Sequence, residues 1–297
     1  MTELFKSEPA RAKVREWHDK FRARVVGQPV SREVETRFGK THVLVAGPEN
    51  APPLIALHGA LASSAHLLGE LGPLIEKHRV YGIDVIGQSV MSADTRLSVK
   101  NDDYGLWLSE VLDGLGLTRA RVLGVSWGGF VAQRFAAVAP ERVEKLALLV
   151  PAGMVTGSTW KGLVKMGLPM TMFLMSPTPR RLQKFATNLL TTLDDDWLPF
   201  IGDAFQSYDL RKMSVPRLSK TEEFAKLSVP VLVIGAEHDV SFPGHAVIER
   251  ARQLFDKPQQ LETELLVGVK HSPPTTDTFR AWLGERVNRF FFGASLS

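Results

Sequence analysis

Cysteine is absent from the 297-residue sequence. That excludes disulfides, thiolate metal sites and a cysteine nucleophile, and it suits a cytoplasmic location. Long apolar runs are missing as well. The most apolar stretch, Leu163 to Met175, contains Lys165 and is too short to span a bilayer. The chain opens Met1-Thr2-Glu3 and stays charged, without the apolar core of a secretory signal. A cytoplasmic protein with no stable membrane association is therefore expected. Charge of one sign is scarce: 36 Lys/Arg stand against 32 Asp/Glu, a net +4. Residues 1–30 carry seven of the Lys/Arg against four acids, but basic and aromatic residues do not interleave, so no nucleic-acid partner is expected. No H-E-x-x-H, P-loop or dinucleotide fingerprint occurs, so neither a metal nor a cofactor is expected. Internal repeats and low-complexity segments are lacking too.

What is present is ordinary globular composition, 44% apolar and 23% charged, in a length that suits one large α/β domain or two small ones. Ala10, Val14, Trp17, Phe21 and Val25 form one apolar stripe, which predicts an amphipathic helix in an N-terminal extension, residues 1–30. From Glu33 on, strand and helix patterns alternate. A hairpin is expected over Val34–Phe38 and His42–Val45, turning at Gly39-Lys40. Apolar strands follow at Leu54–Leu57, Val80–Ile83, Val122–Val125 and Leu146–Val150, separated by helices over Ser63–His78, Asp102–Leu115 and Trp127–Val138. The rhythm resumes with a strand at Val229–Ile234, a helix from His245 to Phe255, a strand at Leu265–Val269 and a last helix from Thr276 to Phe292. Apolar strands alternating with amphipathic helices predict a mostly parallel central sheet with helices on both faces. Residues 152–215 break the rhythm. They hold no buried-strand run but six of the eight methionines, and they read as a helical cap inserted into a core made of 31–151 and 216–297.

One stretch organises the rest: Gly124-Val125-Ser126-Trp127-Gly128 at a strand-to-helix junction, the pattern of a nucleophile elbow. A serine hydroxyl needs a base to take its proton and an acid to orient that base. His271, directly after the last strand, is the candidate base. Asp239, in the loop after Val229–Ile234, is the candidate acid, with Glu237 the runner-up two residues away. The order Ser126, Asp239, His271 is that of Ser…acid…His hydrolases, each residue at the C-terminal end of an expected strand. An oxyanion needs two backbone donors. Trp127 supplies one by its place after the serine; Ala60, with Leu61 the alternative, supplies the other from the loop His58-Gly59-Ala60-Leu61. His58 is expected to brace that loop. Leu61, Met154, Trp160, Met170 and Phe173 are the candidate substrate contacts, because an apolar cap implies an apolar acyl group.

His58-Gly59, the turn Asp84-Val85-Ile86-Gly87-Gln88-Ser89, the elbow, the Asp239 loop and the His271 segment together resemble the α/β-hydrolase superfamily over about residues 33–151 and 216–292. Thr36 to Val43, Gly47-Pro48 and Ala51-Pro52-Pro53-Leu54 resemble the carboxylesterase NP-like group of small bacterial esterases. The resemblance implies an α/β-hydrolase fold and a serine esterase acting on a small-molecule ester, with Asp84 stabilising the fold outside the triad; a monomer or homodimer is expected. Lys270 departs from the glycine usual before the histidine. Other chemistries on the same triad are hydrolysis of carbon–carbon, lactone or thioester bonds and acyl transfer. A rival from another class is a non-catalytic ligand-binding protein of hydrolase fold.

Overall fold

The computed structural model describes residues 4–255 and 261–293. The ends of the expected 1–30 and 216–297 segments, and 256–260 within the latter, lie outside the described residues. Eight strands form one sheet in the order β1-β2-β4-β3-β5-β6-β7-β8: β1 Val30–Thr36, β2 Gly39–Ala46, β3 Pro53–Leu57, β4 Arg79–Ile83, β5 Ala120–Val125, β6 Val143–Leu149, β7 Val231–Ala236 and β8 Leu261–Leu266. β2 runs antiparallel to β1 and β4; every pairing from β4 to β8 is parallel. Leu54 to Leu57 and Val231 to Ala236 are buried throughout, as a sheet covered on both faces requires.

One face packs against α4 (Asp103–Gly114), α5 (Trp127–Val138) and α10 (Gly244–Leu254), through Trp107, Phe130 and Val247 among others. The other face packs against α1 (Glu8–Arg22), α2 (Ser64–Leu68), α3 (Gly72–Ile75) and α11 (Asp277–Phe292). Between β6 and β7 lie α6 (Thr159–Gly162), a π turn (Leu163–Gly167), α7 (Leu168–Met175), α8 (Pro179–Ala186) and α9 (Trp197–Ser207). Their Phe173, Phe185 and Phe200 join the second core, so the cap is continuous with the domain it covers. The fold is α/β-hydrolase, with a helical cap.

α1 is docked, not free. Ser7 caps it, Phe21 is fully buried, and Trp17 Nε1 donates to Asp203 of α9 at 2.7 Å. Basic side chains on it and just after it reach acids on the core and cap: Arg11 pairs with Asp94, and Lys20 and Arg24 with Asp196. The helix also starts and ends earlier than its apolar stripe suggested.

Three further differences from the sequence expectation each have a local reason. The hairpin turns at Arg37-Phe38, not Gly39-Lys40, because the Thr36 hydroxyl closes the tighter turn: it donates to Gly39 O and accepts from Phe38 N. The single helix expected over Ser63–His78 is two, since Pro73 cannot continue the α2 hydrogen-bond ladder. The last strand lies at Leu261–Leu266 and not at Leu265–Val269. Its edge acids Glu262 and Glu264 are held by Arg286, while Val267 is exposed and Gly268 turns at φ +71°.

Candidate active site

Ser126 stands at the junction of β5 and α5 with φ +51° and ψ −113°, a strained conformation for a residue with a side chain. The chain crowds so closely here that a Cβ on Gly128 would lie 2.1 Å from Leu57 O, and one on Gly124 2.5 Å from Gly128 O. These two close approaches are the physical content of the G-x-S-x-G pattern. The bend is tied to β6: Ser126 N donates to Leu149 O, and Ser126 O accepts from Ala152 N, both at 3.0 Å.

The three residues singled out from chain order meet in space. Ser126 Oγ lies 2.9 Å from His271 Nε2, and His271 Nδ1 lies 2.7 Å from Asp239 Oδ2. The other Asp239 oxygen accepts from the amides of Ser241 (2.7 Å) and Phe242 (2.9 Å), which fixes the carboxylate. With Asp239 as acceptor, Nδ1 carries the imidazole proton and Nε2 is free to accept. Burial works to lower the pKa of His271, but the charge and hydrogen bond of Asp239 outweigh it and raise the pKa above the ordinary histidine value. Glu237, the alternative acid, is engaged elsewhere: its carboxylate accepts from Gly268 N at 2.8 Å and braces the turn after β8.

The loop after β3 closes on the nucleophile. A Cβ on Gly59 would lie 3.5 Å from Ser126 Cβ. His58 is fully buried; its Nε2 accepts from Val85 N at 2.9 Å, so its Nδ1–H donates to Gly59 O at 2.7 Å. It braces the loop. Leu61 has φ +63°, and among the described residues the amides of Ala60, Leu61 and Trp127 donate to no other group. All three residues border the same cavity as Ser126 and His271.

That cavity measures about 500 Å³ and its walls are mostly apolar, including Leu61, Leu71, Val125, Leu149, Met166 and Leu189. Of the substrate contacts expected from sequence, Leu61 borders it; Met154, Trp160, Met170 and Phe173 are not among its lining residues. The correction has a simple cause. Met154 is buried in the core beneath α5, and Phe173 is buried against α8, with ring centroids of Phe173 and Phe185 6.3 Å apart. Met170 packs partly buried beside them, and Trp160 is 72% exposed. The cap reaches the cavity instead through Met166, Leu189, Phe205 and Met213, residues that nothing in their local spacing marked. Trp127 borders it too, its ring against Tyr104 and Phe130.

Lys270 explains its own departure from glycine. Its amide donates to Thr191 Oγ1 at 2.9 Å and its ammonium reaches Leu190 O at 3.4 Å. Thr191 N donates to Ser272 O, and Ser272 N to Leu189 O. A two-sided clasp from the cap therefore holds the backbone on either side of His271.

A family model described as the alpha/beta hydrolase fold matches residues 52–173. An uncharacterized carboxylesterase of Bacillus subtilis, nap, is 30% identical over 274 residues, which cover 87% of this chain and 85% of that protein. The chain belongs to the α/β-hydrolase family. Within it, the similarity is to the carboxylesterase NP-like group. The B. subtilis carboxylesterase YbfK is 29% identical over 74% of this chain and 75% of its own. The crystal structure of B. subtilis naproxen esterase (carboxylesterase NP) superposes with a TM-score of 0.80 at 26% identity, covering 96% of this chain and 99% of that one. The relatives of this α/β-hydrolase that are similar over most of its length, nap and YbfK, and the superposed naproxen esterase are all described as esterases.

Proposed function

We propose that the protein is a serine esterase that cleaves carboxylic esters of a hydrophobic small molecule. The observation that carries the reading is the relay Asp239–His271–Ser126, with contacts of 2.7 and 2.9 Å, at the wall of a largely apolar cavity. Ser126 Oγ attacks the acyl carbon while His271 Nε2 takes its proton. The same imidazolium then gives the proton to the departing alcohol, leaving an acyl-enzyme. Water, deprotonated by His271, attacks that ester carbon, and the acid leaves as Ser126 recovers its proton. Asp239 holds the proton on Nδ1 throughout. The amide of Trp127 and one from Ala60 or Leu61 receive the oxyanion, donors committed to nothing else.

Two outcomes follow. With p-nitrophenyl esters of straight-chain acids, kcat/KM should rise about fourfold per methylene until the cavity is filled. Equal or better turnover of short charged acids would sink the apolar-substrate reading. Secondly, His271 must be neutral to act, so kcat/KM should fall in acid with an apparent pKa above the free imidazole's ~6.5. Asp239→Asn removes the charge that raises it, and should move that limb to lower pH. A limb that stays put in the variant would separate it from His271.

A further inference from the structure

Residues 152–193 of the cap contain five basic residues, Lys161, Lys165, Arg180, Arg181 and Lys184, and no Asp or Glu. The whole chain nets only +4, so this one stretch more than accounts for its positive balance. Within it, α6, the π turn and α7 run continuously from Thr159 to Met175, about 25 Å at 1.5 Å per residue.

This rod is apolar on two sides. Met166, Met170 and Phe173 turn inward to the core. Trp160, Leu168 and Met175 are 72%, 56% and 81% exposed, and Leu163, Val164 and Met172 are exposed with them. At about 100° per residue, Trp160, Val164, Leu168, Met172 and Met175 fall in one sector of about 120°, with Lys161 within it and Lys165 just past its edge. A helix on the surface of a globular domain normally turns polar residues outward. An exposed apolar strip with a charged border marks an interaction surface.

Charge selects the occupant. Two copies meeting across a two-fold axis would press this acid-free surface against itself, which basic residues oppose. Lys161, Lys165, Arg180 and Lys184 are all exposed, whereas Arg181 is engaged with the Met172 and Ser176 carbonyls at the end of α7. The complement is a surface both apolar and anionic. No helix among the described residues is long and apolar enough to cross a membrane, so a rod meeting such a surface would lie along it rather than span it.

We propose that this face of the cap docks reversibly on an anionic lipid bilayer, with Trp160, Leu168 and Met175 entering the headgroup layer and the four exposed cations meeting lipid phosphates. Met166, on the inner side of the same rod, borders the cavity. Docking thus sets the cavity beside the phase into which apolar esters partition. The surface itself does not depend on ester chemistry.

The test is co-sedimentation of the full chain with sucrose-loaded vesicles, either phosphatidylcholine alone or phosphatidylcholine with phosphatidylglycerol. Binding should require phosphatidylglycerol and weaken with added salt. Lys161→Gln with Lys165→Gln should lower the partition constant roughly 30-fold, at about one kcal/mol for each cation near an anionic surface. Leu168→Ser with Met175→Ser should lower it too, with an unchanged thermal melt by circular dichroism showing that the fold persists. Trp160→Phe should abolish any blue shift of emission on binding. Absent binding to anionic vesicles, or equal binding to neutral ones, overturns the proposal. So does a dimer in light scattering that Leu168→Ser dissolves while vesicles go unbound.

Discussion

Ser126→Ala should lower ester turnover about 10⁴- to 10⁶-fold while the protein stays folded, and should abolish covalent labelling by a fluorophosphonate. The substitution removes one oxygen and leaves the elbow, whose crowding rests on Gly124 and Gly128 and whose backbone is tied to Leu149 and Ala152. Persistent labelling of the variant would place the nucleophile elsewhere. Asp239→Asn is expected to cost about 10³- to 10⁴-fold for a different reason. Asp239 Oδ1 is pinned by the Ser241 and Phe242 amides, so an asparagine must turn its carbonyl toward them. Its NH2 then faces His271 Nδ1 and forces the imidazole proton onto Nε2, the atom that must accept from Ser126. Steady-state kcat of the two variants, measured on the best ester of the chain-length series, separates loss of the nucleophile from loss of the base's tautomer.

The elbow was legible in sequence because steric contact sets it: where Leu57 O passes so close to Gly128, no other residue fits. Asp239 and His271 were legible because each follows an apolar run, and a parallel sheet delivers the ends of such runs to one edge. β8 shows the limit of that signal. As an edge strand it alternates apolar positions with acids bound to Arg286, so its true extent was hidden beside the more apolar Leu265–Val269. The cavity walls were least legible. Composition marked the 152–215 segment as apolar, but a rod with two apolar faces has no single stripe to say which side points inward. Trp160 and Phe173 therefore looked equivalent, and they are not. Leu189 borders the cavity because the cap segment around Thr191 pairs with the His271 loop, a contact between residues some eighty positions apart.

Asp84 carries the second large expectation, in stability and not in chemistry. Its carboxylate is wholly buried after β4. It accepts from Ser64 N (3.0 Å), Ser64 Oγ and Ser89 Oγ (both 2.5 Å) and His42 Nδ1 (2.7 Å), joining β2, the start of α2 and the turn after β4. Burial alone would raise its pKa. The hydrogen bond and charge of His42, together with the charges of His18 and His58, outweigh that and hold the carboxyl well below the usual carboxylate range. Asp84→Asn replaces an acceptor by an NH2 that faces these donors, and should cost about 3–5 kcal/mol in urea unfolding at neutral pH. The sign with pH follows from the depressed value. The stabilisation is complete above the unfolded carboxyl's ~3.9 and is lost as pH falls from there toward the folded value. Glu223, held down to about 2 between Arg134 and Arg217, weakens in acid as well, but it does so in both proteins. The difference between wild type and variant therefore isolates Asp84: it should be flat from neutral pH to about 4 and shrink below. Matching urea midpoints at neutral pH, or a gap that stays constant into acid, would mean that the serines and His42 hold this turn without the charge.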